Sequence, residues 1–174
     1  MMIDSTLKKE HMLELADYKR TLWETPKLKF LFLELTLRCN ERCVHCGSCC
    51  GNIESKELTL EQYKDFLLKI KQDFGTNDIQ LCITGGEPLL RKDFFDIVSY
   101  ANSLGFSWGM TSNGTLIDDE IAAELEKCGM STISISIDGM RESHDRFRRT
   151  TGGWNAAIKG INSLISLKAF EDIQ

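Results

Sequence analysis

Five of the seven cysteines of this chain lie within one short segment, CNERCVHCGSCCG, at residues 39–51. Cys39, Cys43 and Cys46 have the spacing CxxxCxxC, with which a single loop can direct three thiolates at one centre. Thiolates select soft metals, chiefly zinc and the iron of iron–sulfur clusters. Three thiolates on a four-iron cluster leave one iron open to a small ligand, as an open position makes a metal site catalytic.

Zinc is the alternative that this segment leaves open. His45, Cys49 and Cys50 lie close enough in the sequence to complete a tetrahedral zinc site. The odd number of cysteines and their clustering favour metal over disulfides in either case. Because the N-terminus, MMIDSTLKKEHMLELADYKR, lacks the apolar core of a secretion signal, we expect a cytoplasmic protein whose thiols stay reduced.

Composition excludes several classes of protein. The chain has 174 residues, enough for one domain with its own core, and its 42% hydrophobic and 27% charged residues are ordinary for a soluble globular protein. The formal net charge of −5 argues against a general binder of nucleic acid or of anionic membranes. No apolar run approaches the length that spans a bilayer. We therefore expect neither nucleic acid nor membrane as a partner.

Hydrophobic periodicity predicts four strand–loop–helix units after an N-terminal extension, residues 1–28, that is partly helical. Strands are predicted at 29–36, 78–84, 106–111 and 131–137, and helices at 59–74, 91–104, 118–128 and 154–168. Thr59 and Gln62 are predicted to form a capping box, and Asp118 an N-cap. This alternation predicts an α/β fold with a parallel sheet and crossover helices. We interpret AFEDIQ, 169–174, as the start of a fifth strand.

The unusual motifs follow the predicted strands in order. The cysteine-rich segment follows the first strand, GGEP (85–88) the second, SNG (112–114) the third and DG (138–139) the fourth. The carboxyl ends of parallel strands lie at one edge of the sheet, where proteins of this class build their active sites. We therefore expect the four motifs to converge in space.

The fourth predicted strand has one apolar and one polar face. The isoleucines of STISISI (131–137) are expected to pack on helices, whereas Ser134, Ser136 and Asp138 share the other face. That polar face fits a barrel lumen holding a ligand better than a dry core. An edge strand with a solvated face is the alternative.

This ordered set of motifs resembles the radical SAM superfamily. The matching residues are Cys39-x-x-x-Cys43-x-x-Cys46, Gly85-Gly86-Glu87-Pro88, Ser112-Asn113-Gly114 and Ser136-Ile137-Asp138-Gly139, with His144-Asp145 leading to Arg148. The resemblance covers roughly residues 29–174 and is nearest to the branch with SPASM-type C-terminal domains, many of whose members modify peptides or build cofactors. GGEP alone is a weak signal, and the order of the motifs at successive strand ends is what makes the resemblance specific.

The resemblance implies a [4Fe–4S] cluster on Cys39, Cys43 and Cys46, with S-adenosylmethionine (SAM) chelated to the fourth iron through its amino and carboxylate groups. One-electron reduction would cleave the sulfonium into methionine and a 5′-deoxyadenosyl radical, which abstracts a hydrogen from the substrate. It also implies that Gly85 to Pro88 lie against the methionine amino group, since two glycines let the backbone approach a ligand closely.

Four further side chains match positions on the SAM side of the family's site. Ser136 matches a contact to the SAM carboxylate or ribose, and Arg148 an arginine that pairs with the carboxylate. Asn113 follows the third strand, and His45 stands where the family usually has an aromatic residue near the adenine. Alternatives remain: the four arginines between 141 and 149 could form one solvated basic face, and Asn113 could merely stabilise its turn.

Other residues have no role in the motif. Cys49 and Cys50 are interpreted as packed thiols, with a part in substrate chemistry as the alternative, and Cys82 and Cys128 as core thiols. Glu34, one of the few charges in an apolar strand, either points into the lumen or lies at a strand edge. No catalytic residue is assigned from the sequence.

The barrel of the superfamily usually has more strand–helix units than the four found here. We therefore interpret residues 29–174 as a partial (βα)6 radical SAM barrel. An open sheet leaves an unpaired edge, which is a liability. We expect the rest of the barrel, and a SPASM-type region with auxiliary iron–sulfur clusters, beyond Gln174.

The function expected from the resemblance is that of a radical SAM enzyme, an oxidoreductase that modifies a peptide substrate. Its electron donor would be a low-potential protein of the ferredoxin or flavodoxin type. A cofactor-biosynthesis enzyme acting on a small molecule is one alternative, and a non-catalytic metal-binding or interaction fragment is another. The truncated chain alone is expected to be inactive.

Overall fold

The structure is a computed structural model that describes residues 5–51, 56–167 and 172–173. Its strands are β1 (Phe30–Glu34), β2 (Gln80–Thr84), β3 (Ser107–Ser112), β4 (Met130–Ile135) and β5 (Asp172–Ile173). Its helices are α1 (Ser5–Glu24), α2 (Leu60–Phe74), α3 (Phe94–Ser103), α4 (Asp119–Lys127), α5 (Arg141–Arg148) and α6 (Gly153–Leu167). A turn of 3-10 helix covers Pro88–Leu90. In the described ranges, no helix combines the length and apolar character that crossing a bilayer requires.

The five strands form one parallel sheet in the order β1-β2-β3-β4-β5, which confirms the predicted α/β class. Each strand pairs with the next one along the chain. Because crossovers between parallel strands are right-handed, this order places the connecting helices on the same face of the sheet. The carboxyl ends of β1 to β4 therefore share one edge, with the loops that follow them side by side.

The core lies between the sheet and its helices. The residues that alternate towards this outer face are buried, and they include Leu33, Leu81, Ile83, Trp108, Met110 and Ile133. Trp108 is fully buried, its ring packs edge-on against Phe94 with centroids 6.2 Å apart, and its Nε1–H donates to the Cys128 carbonyl at 3.0 Å. That contact satisfies the indole donor and ties β3 to the end of α4.

The inner face of the sheet is open. Phe30 and Phe32 of β1 are 63% and 69% exposed and line a cavity of about 460 Å³ together with Thr132 and Ser134 of β4. β4 pairs with strands on both sides, so its polar face is not that of an edge strand. The polar face of β4 thus contributes to a concave wall, in agreement with the lumen interpretation.

The structure differs from the sequence-based elements in three places. β4 ends at Ile135, so Ile137 lies beyond the strand and is 38% exposed. The helix predicted at 91–104 is α3, which begins only at Phe94 because residues 91–93 form a turn after the 3-10 turn. Helix α5 lies between the fourth predicted strand and the fourth predicted helix, where no helix is predicted, because its short polar sequence has too few apolar residues to show a helical pattern. Only 172–173 of AFEDIQ lie within the described residues, and the domain boundary at residue 28 stays a prediction.

The capping box of α2 is formed as predicted. Thr59 Oγ1 accepts from the Gln62 N–H at 3.3 Å, and Gln62 Oε1 accepts from the Thr59 N–H at 2.9 Å. We expect Thr59→Ala to lower the free energy of unfolding by about 1 kcal/mol, because the Gln62 N–H at the helix start loses its acceptor. Urea unfolding followed by circular dichroism measures this, with exposed Thr151→Ala as the control. A loss equal to that of Thr151→Ala would contradict the prediction.

Candidate functional site

The cysteine-rich segment is closed at its base by main-chain hydrogen bonds. The Cys39 N–H donates to the Gly51 carbonyl at 3.2 Å, and the Gly51 N–H donates to the Leu37 carbonyl at 2.9 Å. Within the loop the Cys46 N–H donates to the Cys43 carbonyl at 3.3 Å. These bonds bring the two ends of the loop together directly after β1, so the three cysteines share one short closed loop.

Helix α5 holds the same loop from the other side. The N–H groups of Arg42 and Val44 donate to the carbonyls of Arg148 and Phe147 at 3.2 and 2.9 Å. The last carbonyls of a helix have no partner within the helix, so these bonds satisfy acceptors that would otherwise need water. The loop is thereby attached both to β1 and to the end of α5.

Main-chain and side-chain N–H groups point at two of the predicted ligand sulfurs. The Glu41 N–H lies 3.4 Å from Cys39 Sγ, and the Cys50 N–H lies 3.3 Å from Cys46 Sγ. Asn113 Nδ2 also approaches Cys39 Sγ, at 3.9 Å. Donors of this kind favour a sulfur that carries negative charge. The loop therefore provides an environment suited to thiolate ligands.

The same thiols need a positive partner before they can all be ionised. Burial raises the pKa of Cys39 and of Cys43; for Cys43 the Arg148 guanidinium opposes the rise only in part, and the negative charges of Glu41, Cys39 and Cys46 add to it. Three thiolates in one half-buried loop therefore repel one another. A bound cationic centre removes that repulsion, as it does at thiolate metal sites generally. The donor set fits the iron–sulfur cluster that the sequence predicts.

The ring of His45 is directed away from a zinc site with the neighbouring thiols. His45 Nε2 lies 3.4 Å from Asp138 Oδ2, and its ring packs edge-on against Phe147 with centroids 6.0 Å apart. In the part of the chain that the structure describes, no three His, Cys, Asp or Glu side chains surround a position for a single metal ion. His45 still borders the cleft next to the cysteine loop, on its exposed rim.

The turn after β2 packs its backbone against the base of the cysteine loop. The Gly86 N–H donates to the Thr36 carbonyl at 2.7 Å, and the Glu87 N–H donates to the Arg38 carbonyl at 2.9 Å. A Cβ on Gly86 would stand 2.2 Å from the Arg38 carbonyl oxygen, and one on Gly85 2.5 Å from that of Thr36. Gly85 also has φ of 153°, within the range that favours glycine. Close packing to the loop therefore requires both glycines.

We expect Gly86→Ala to destabilise the protein by about 1–3 kcal/mol, because the new methyl group cannot fit without moving the backbone of the cysteine loop. Gly47→Ala is the matched control within the same loop, since a Cβ there meets nothing within 4 Å. Thermal unfolding of the two variants measures the difference. Equal stability of Gly86→Ala and Gly47→Ala would show that the turn and the loop do not pack as described.

Glu87 lies beneath the cleft and holds two motifs together. Its carboxylate is fully buried and accepts from Ser112 Oγ at 3.0 Å, from the Asn113 N–H at 2.8 Å and from the Leu89 N–H at 3.3 Å. Burial raises the pKa of Glu87 to about 7, although the three donors favour the charged form. Glu87 and the buried Pro88 do not line the cleft, so of the GGEP motif only the two glycines face it.

Asn113 performs the turn role that its sequence context suggested and also borders the cleft. Its Oδ1 accepts from the N–H and the hydroxyl of Thr115 at 2.9 and 2.8 Å. Its Nδ2 donates to Asn40 Oδ1 at 2.8 Å, which attaches the turn after β3 to the cysteine loop. The cofactor-side role of Asn113 stays a prediction.

Arg148 is distinct from the other arginines of α5 and its C-cap. It is only 8% exposed, whereas Arg141, Arg146 and Arg149 are exposed, so the interpretation of one solvated basic face is wrong. Arg148 Nε donates to Asp138 Oδ2 at 2.6 Å, and Nη1 donates to Glu41 Oε2 at 3.3 Å. These contacts turn the guanidinium towards the cysteine loop. Ser136 borders the same cleft, just after β4.

Glu41 is a buried carboxylate of the cysteine loop that the sequence analysis did not single out. Its side chain has no exposed surface, and burial raises its pKa, which the guanidinium of Arg148 opposes. Its position between Cys39 and Cys43 was the available signal, because a carboxylate inside a ligand loop either faces solvent or needs a buried cation. The sequence does not reveal which, since Arg148 comes from a distant helix.

The other four cysteines and Glu34 lie in different environments. Cys128 is buried at the end of α4, as expected for a core thiol, whereas Cys82 lines the inner-face cavity and is not in the core. Cys50 is half-buried beside Cys46, and Cys49 is exposed with φ of 50°. Glu34 is exposed on the inner face of β1, which is also an edge strand of the described sheet.

Residues from the cysteine loop, from GGEP, from SNG and, at the end of β4, Ser136 line one cleft of about 270 Å³ at the carboxyl edge of the sheet. The predicted site residues that line it are Cys39, Cys43, His45, Cys46, Gly85, Gly86, Asn113, Ser136 and Arg148. The family model of the Radical SAM superfamily matches residues 33–169. The chain belongs to the radical SAM superfamily. The convergence expected from the order of the motifs is thus the geometry of a radical SAM domain.

Relatives of this radical SAM chain include one protein named a synthase and one named a maturase. Fe-coproporphyrin III synthase of Methanosarcina barkeri is 35% identical over 161 residues, covering 92% of this chain and 38% of that protein. Mycofactocin maturase MftC of Mycolicibacterium smegmatis is 35% identical over 133 residues, covering 75% of this chain and 33% of that protein. The solved structure of anSMEcpe with bound AdoMet and Cp18Cys peptide matches with a TM-score of 0.68 and 21% identity, over 85% of this chain and 42% of that one.

The TM-score shows that the two proteins share a fold. Because the sequence identity is only 21%, the match shows the fold alone. The chain spans 33–38% of the length of the two curated relatives. The radical SAM domain described here therefore corresponds to only part of each relative.

Proposed function

We propose that this chain forms the cluster- and SAM-binding part of a radical SAM enzyme that modifies a peptide. The observation that carries the proposal is the single cleft in which the three cysteines of the CxxxCxxC loop face the Gly85–Gly86 turn, Ser136 and Arg148. When bound, the cluster and SAM supply one-electron cleavage of the sulfonium, yielding a 5′-deoxyadenosyl radical that takes a hydrogen atom from the substrate.

The residues of the chain position these groups. Cys39, Cys43 and Cys46 hold the cluster, and the donors to Cys39 and Cys46 Sγ stabilise the ligands as thiolates. Gly85 and Gly86 line the cleft, and because they carry no side chains their backbone is accessible to the methionine end of SAM.

Arg148 is assigned to the carboxylate of SAM, with Ser136 beside it. Two guanidinium nitrogens of Arg148 are bound to Glu41 and Asp138, and Nη2 makes no hydrogen bond within the described residues. Nη2 is therefore available as a donor in the cleft, and its direction is set by the hydrogen bonds that Nε and Nη1 make to Asp138 and Glu41. Asn113 and His45 complete the cofactor side of the proposal, and the inner-face cavity next to the cleft accommodates the substrate.

The peptide assignment is supported by the names of the matched proteins. anSMEcpe was crystallised with a peptide, and MftC is named a maturase. We assign the electrons to a low-potential donor of the ferredoxin or flavodoxin type, and auxiliary clusters to a SPASM-type region elsewhere in the full protein. We assign the protein to the cytoplasm, because a thiolate-ligated cluster needs a compartment in which thiols stay reduced.

A tetrapyrrole is the second candidate substrate. Fe-coproporphyrin III synthase and the AdoMet-dependent heme synthase of Methanosarcina barkeri are 35% and 37% identical to this chain. Absorbance titration of the intact protein with Fe-coproporphyrin III separates the candidates. Under the peptide proposal no saturable binding occurs, whereas saturable binding that Phe32→Ala weakens would favour the tetrapyrrole, because Phe32 is exposed on the wall of the cavity.

The metal and the reaction are tested together. After anaerobic reconstitution of the full-length protein we expect iron and sulfide in near-equal amounts. When SAM and dithionite are added to the reconstituted protein, we expect mass spectrometry to detect methionine and 5′-deoxyadenosine. Stoichiometric zinc without sulfide would overturn the cluster assignment. Iron and sulfide without any SAM cleavage would instead favour a non-catalytic metal-binding protein.

A further inference from the structure

Two buried polar atoms next to the cleft have no hydrogen-bond partner among the described residues. They are Glu41 Oε1 and His144 Nε2. Glu41 is 2% exposed, and His144 is fully buried. A buried donor or acceptor without a partner costs about 1–3 kcal/mol, so a folded protein rarely retains two of them side by side.

The contacts of His144 determine which of its nitrogens carries the proton. His144 Nδ1 accepts from the Asp138 N–H at 3.2 Å, so Nδ1 is unprotonated. A neutral imidazole then carries its hydrogen on Nε2, which makes Nε2 a donor. The unpartnered atom of His144 is therefore a donor that needs an acceptor.

Glu41 supplies an acceptor of matching chemistry. Its Oε2 accepts from Arg148 Nη1 at 3.3 Å, and its Oε1 remains without a donor. His144 and Arg148 are four residues apart on α5 and therefore lie on the same face of the helix, the face on which Arg148 binds Glu41. Oε1 also lies 3.1 Å from where a Cβ of Gly153 would stand, so a side chain at the start of α6 would crowd Oε1.

We infer that His144 is a neutral Nε2–H imidazole that donates to Glu41 Oε1 through one buried water molecule, and that this link positions Arg148. A water with a donor on one side and a carboxylate on the other satisfies both buried atoms at once. Glu41 is then held on both oxygens, by His144 and by Arg148. Both partners belong to α5, whereas Glu41 lies between two cysteines of the loop.

The link explains how the Arg148 guanidinium can be oriented by residues that do not line the cleft. Arg148 would be clamped between Glu41, which His144 restrains, and Asp138, whose N–H donates to the same imidazole. His144 and Glu41 are positioning residues in this scheme and touch neither cluster nor SAM. The consequence for SAM rests on the proposed function, but the link itself does not.

The test begins with nitrogen NMR of the intact protein without cluster or SAM, labelled with 15N-histidine and 15N-arginine. This chain has three histidines, and substituting His11 and His45 identifies their signals. We expect His144 to show a protonated Nε2 and an unprotonated Nδ1, with slow exchange of its Nε2 hydrogen. A proton on Nδ1, or free averaging of the two forms as in exposed His11, would overturn the inference.

Variants of Glu41 test the positioning of Arg148. We expect Glu41→Gln, which keeps an acceptor, to retain the slowly exchanging Nε2 hydrogen of His144 and a sharp Nε–H signal of Arg148. Glu41→Leu should broaden the Arg148 signal and speed exchange at His144 by roughly 10-fold or more, because the acceptor is lost. Exposed Glu142→Leu on the same helix is the control. Unchanged signals in Glu41→Leu would contradict the link.

His144→Gln and His144→Leu test the same link from the other end. Glutamine retains a donor near the position of Nε2 and should keep the Arg148 Nε–H signal sharp, whereas leucine should broaden it. Equal behaviour of the two variants would leave only a packing role for His144 and would overturn the inference. In reconstituted protein, SAM affinity should fall roughly 10-fold in His144→Leu with unchanged iron content. If the NMR results hold and SAM does not bind even to the unsubstituted protein, the proposed function fails and the link stands.

Discussion

Replacement of Cys39, Cys43 or Cys46 by alanine is expected to abolish iron–sulfur binding by the full-length protein. Each thiolate holds one iron in the proposed assignment, so the loss of one thiolate leaves two of the four irons without a protein ligand. Iron and sulfide analysis after anaerobic reconstitution, together with the visible absorption of the cluster, measures the effect. We expect less than about a tenth of the unsubstituted iron content in each variant, by the strength of thiolate ligation.

The other cysteines provide controls matched in chemistry. Cys82→Ala should retain the cluster with little loss of stability, because Cys82 is half-buried on the inner face. Cys128→Ala should retain the cluster and lose about 1 kcal/mol, because Cys128 is buried and contacts Ser99 Oγ at 3.1 Å. Cys50 lies beside Cys46, which makes Cys50→Ala the strictest control. Loss of the cluster in Cys50→Ala as complete as in Cys43→Ala would show that the ligand assignment is wrong.

Arg148→Ala is expected to lower the free energy of unfolding by about 3 kcal/mol or more and, separately, to weaken SAM binding. Glu41 loses the cation that compensates its buried carboxylate, and breaking a buried ion pair from one side costs about 3–5 kcal/mol. We expect the lower end of that range, because Asp138, the second carboxylate bound by Arg148, is 28% exposed and is solvated by water when Arg148 is removed. Denaturant unfolding measures the stability, and titration of SAM into the reconstituted variant, at unchanged iron content, measures the binding.

Arg149→Ala is the internal control for Arg148. Arg149 is exposed at the C-cap of α5, and its replacement should change stability by no more than about 0.5 kcal/mol and leave SAM binding unchanged. A double variant, Glu41→Leu with Arg148→Ala, should recover part of the stability lost in Arg148→Ala, because no buried charge then remains unpaired. If Arg148→Ala and Arg149→Ala behave alike, the ion pair with Glu41 does not form and the SAM role of Arg148 loses its support.

The strand–helix units and the motifs at their ends were predictable from the sequence because both depend on local patterns. Thr59 and Gln62 form their capping box within one turn of chain, so their spacing alone determined it. The convergence of the cysteine loop with GGEP and SNG follows from the direction of parallel strands. The boundary at residue 28, which follows from the start of regular periodicity, and the SPASM-type region, which follows from the resemblance, stay predictions.

The tertiary structure alone decided which polar residues are buried and with what. Four arginines of similar local context lie between 141 and 149, yet only Arg148 meets the carboxylate of Glu41, 107 residues earlier in the chain. Cys82 and Cys128 look alike in sequence, and only the packing of the sheet against its helices separates them. Burial depends on contacts between distant segments, which no local pattern records. The sequence therefore determined the four strand–helix units and the ligand loop, whereas helix α5 and its packing on that loop, which set the electrostatics of the site, emerged only from the tertiary structure.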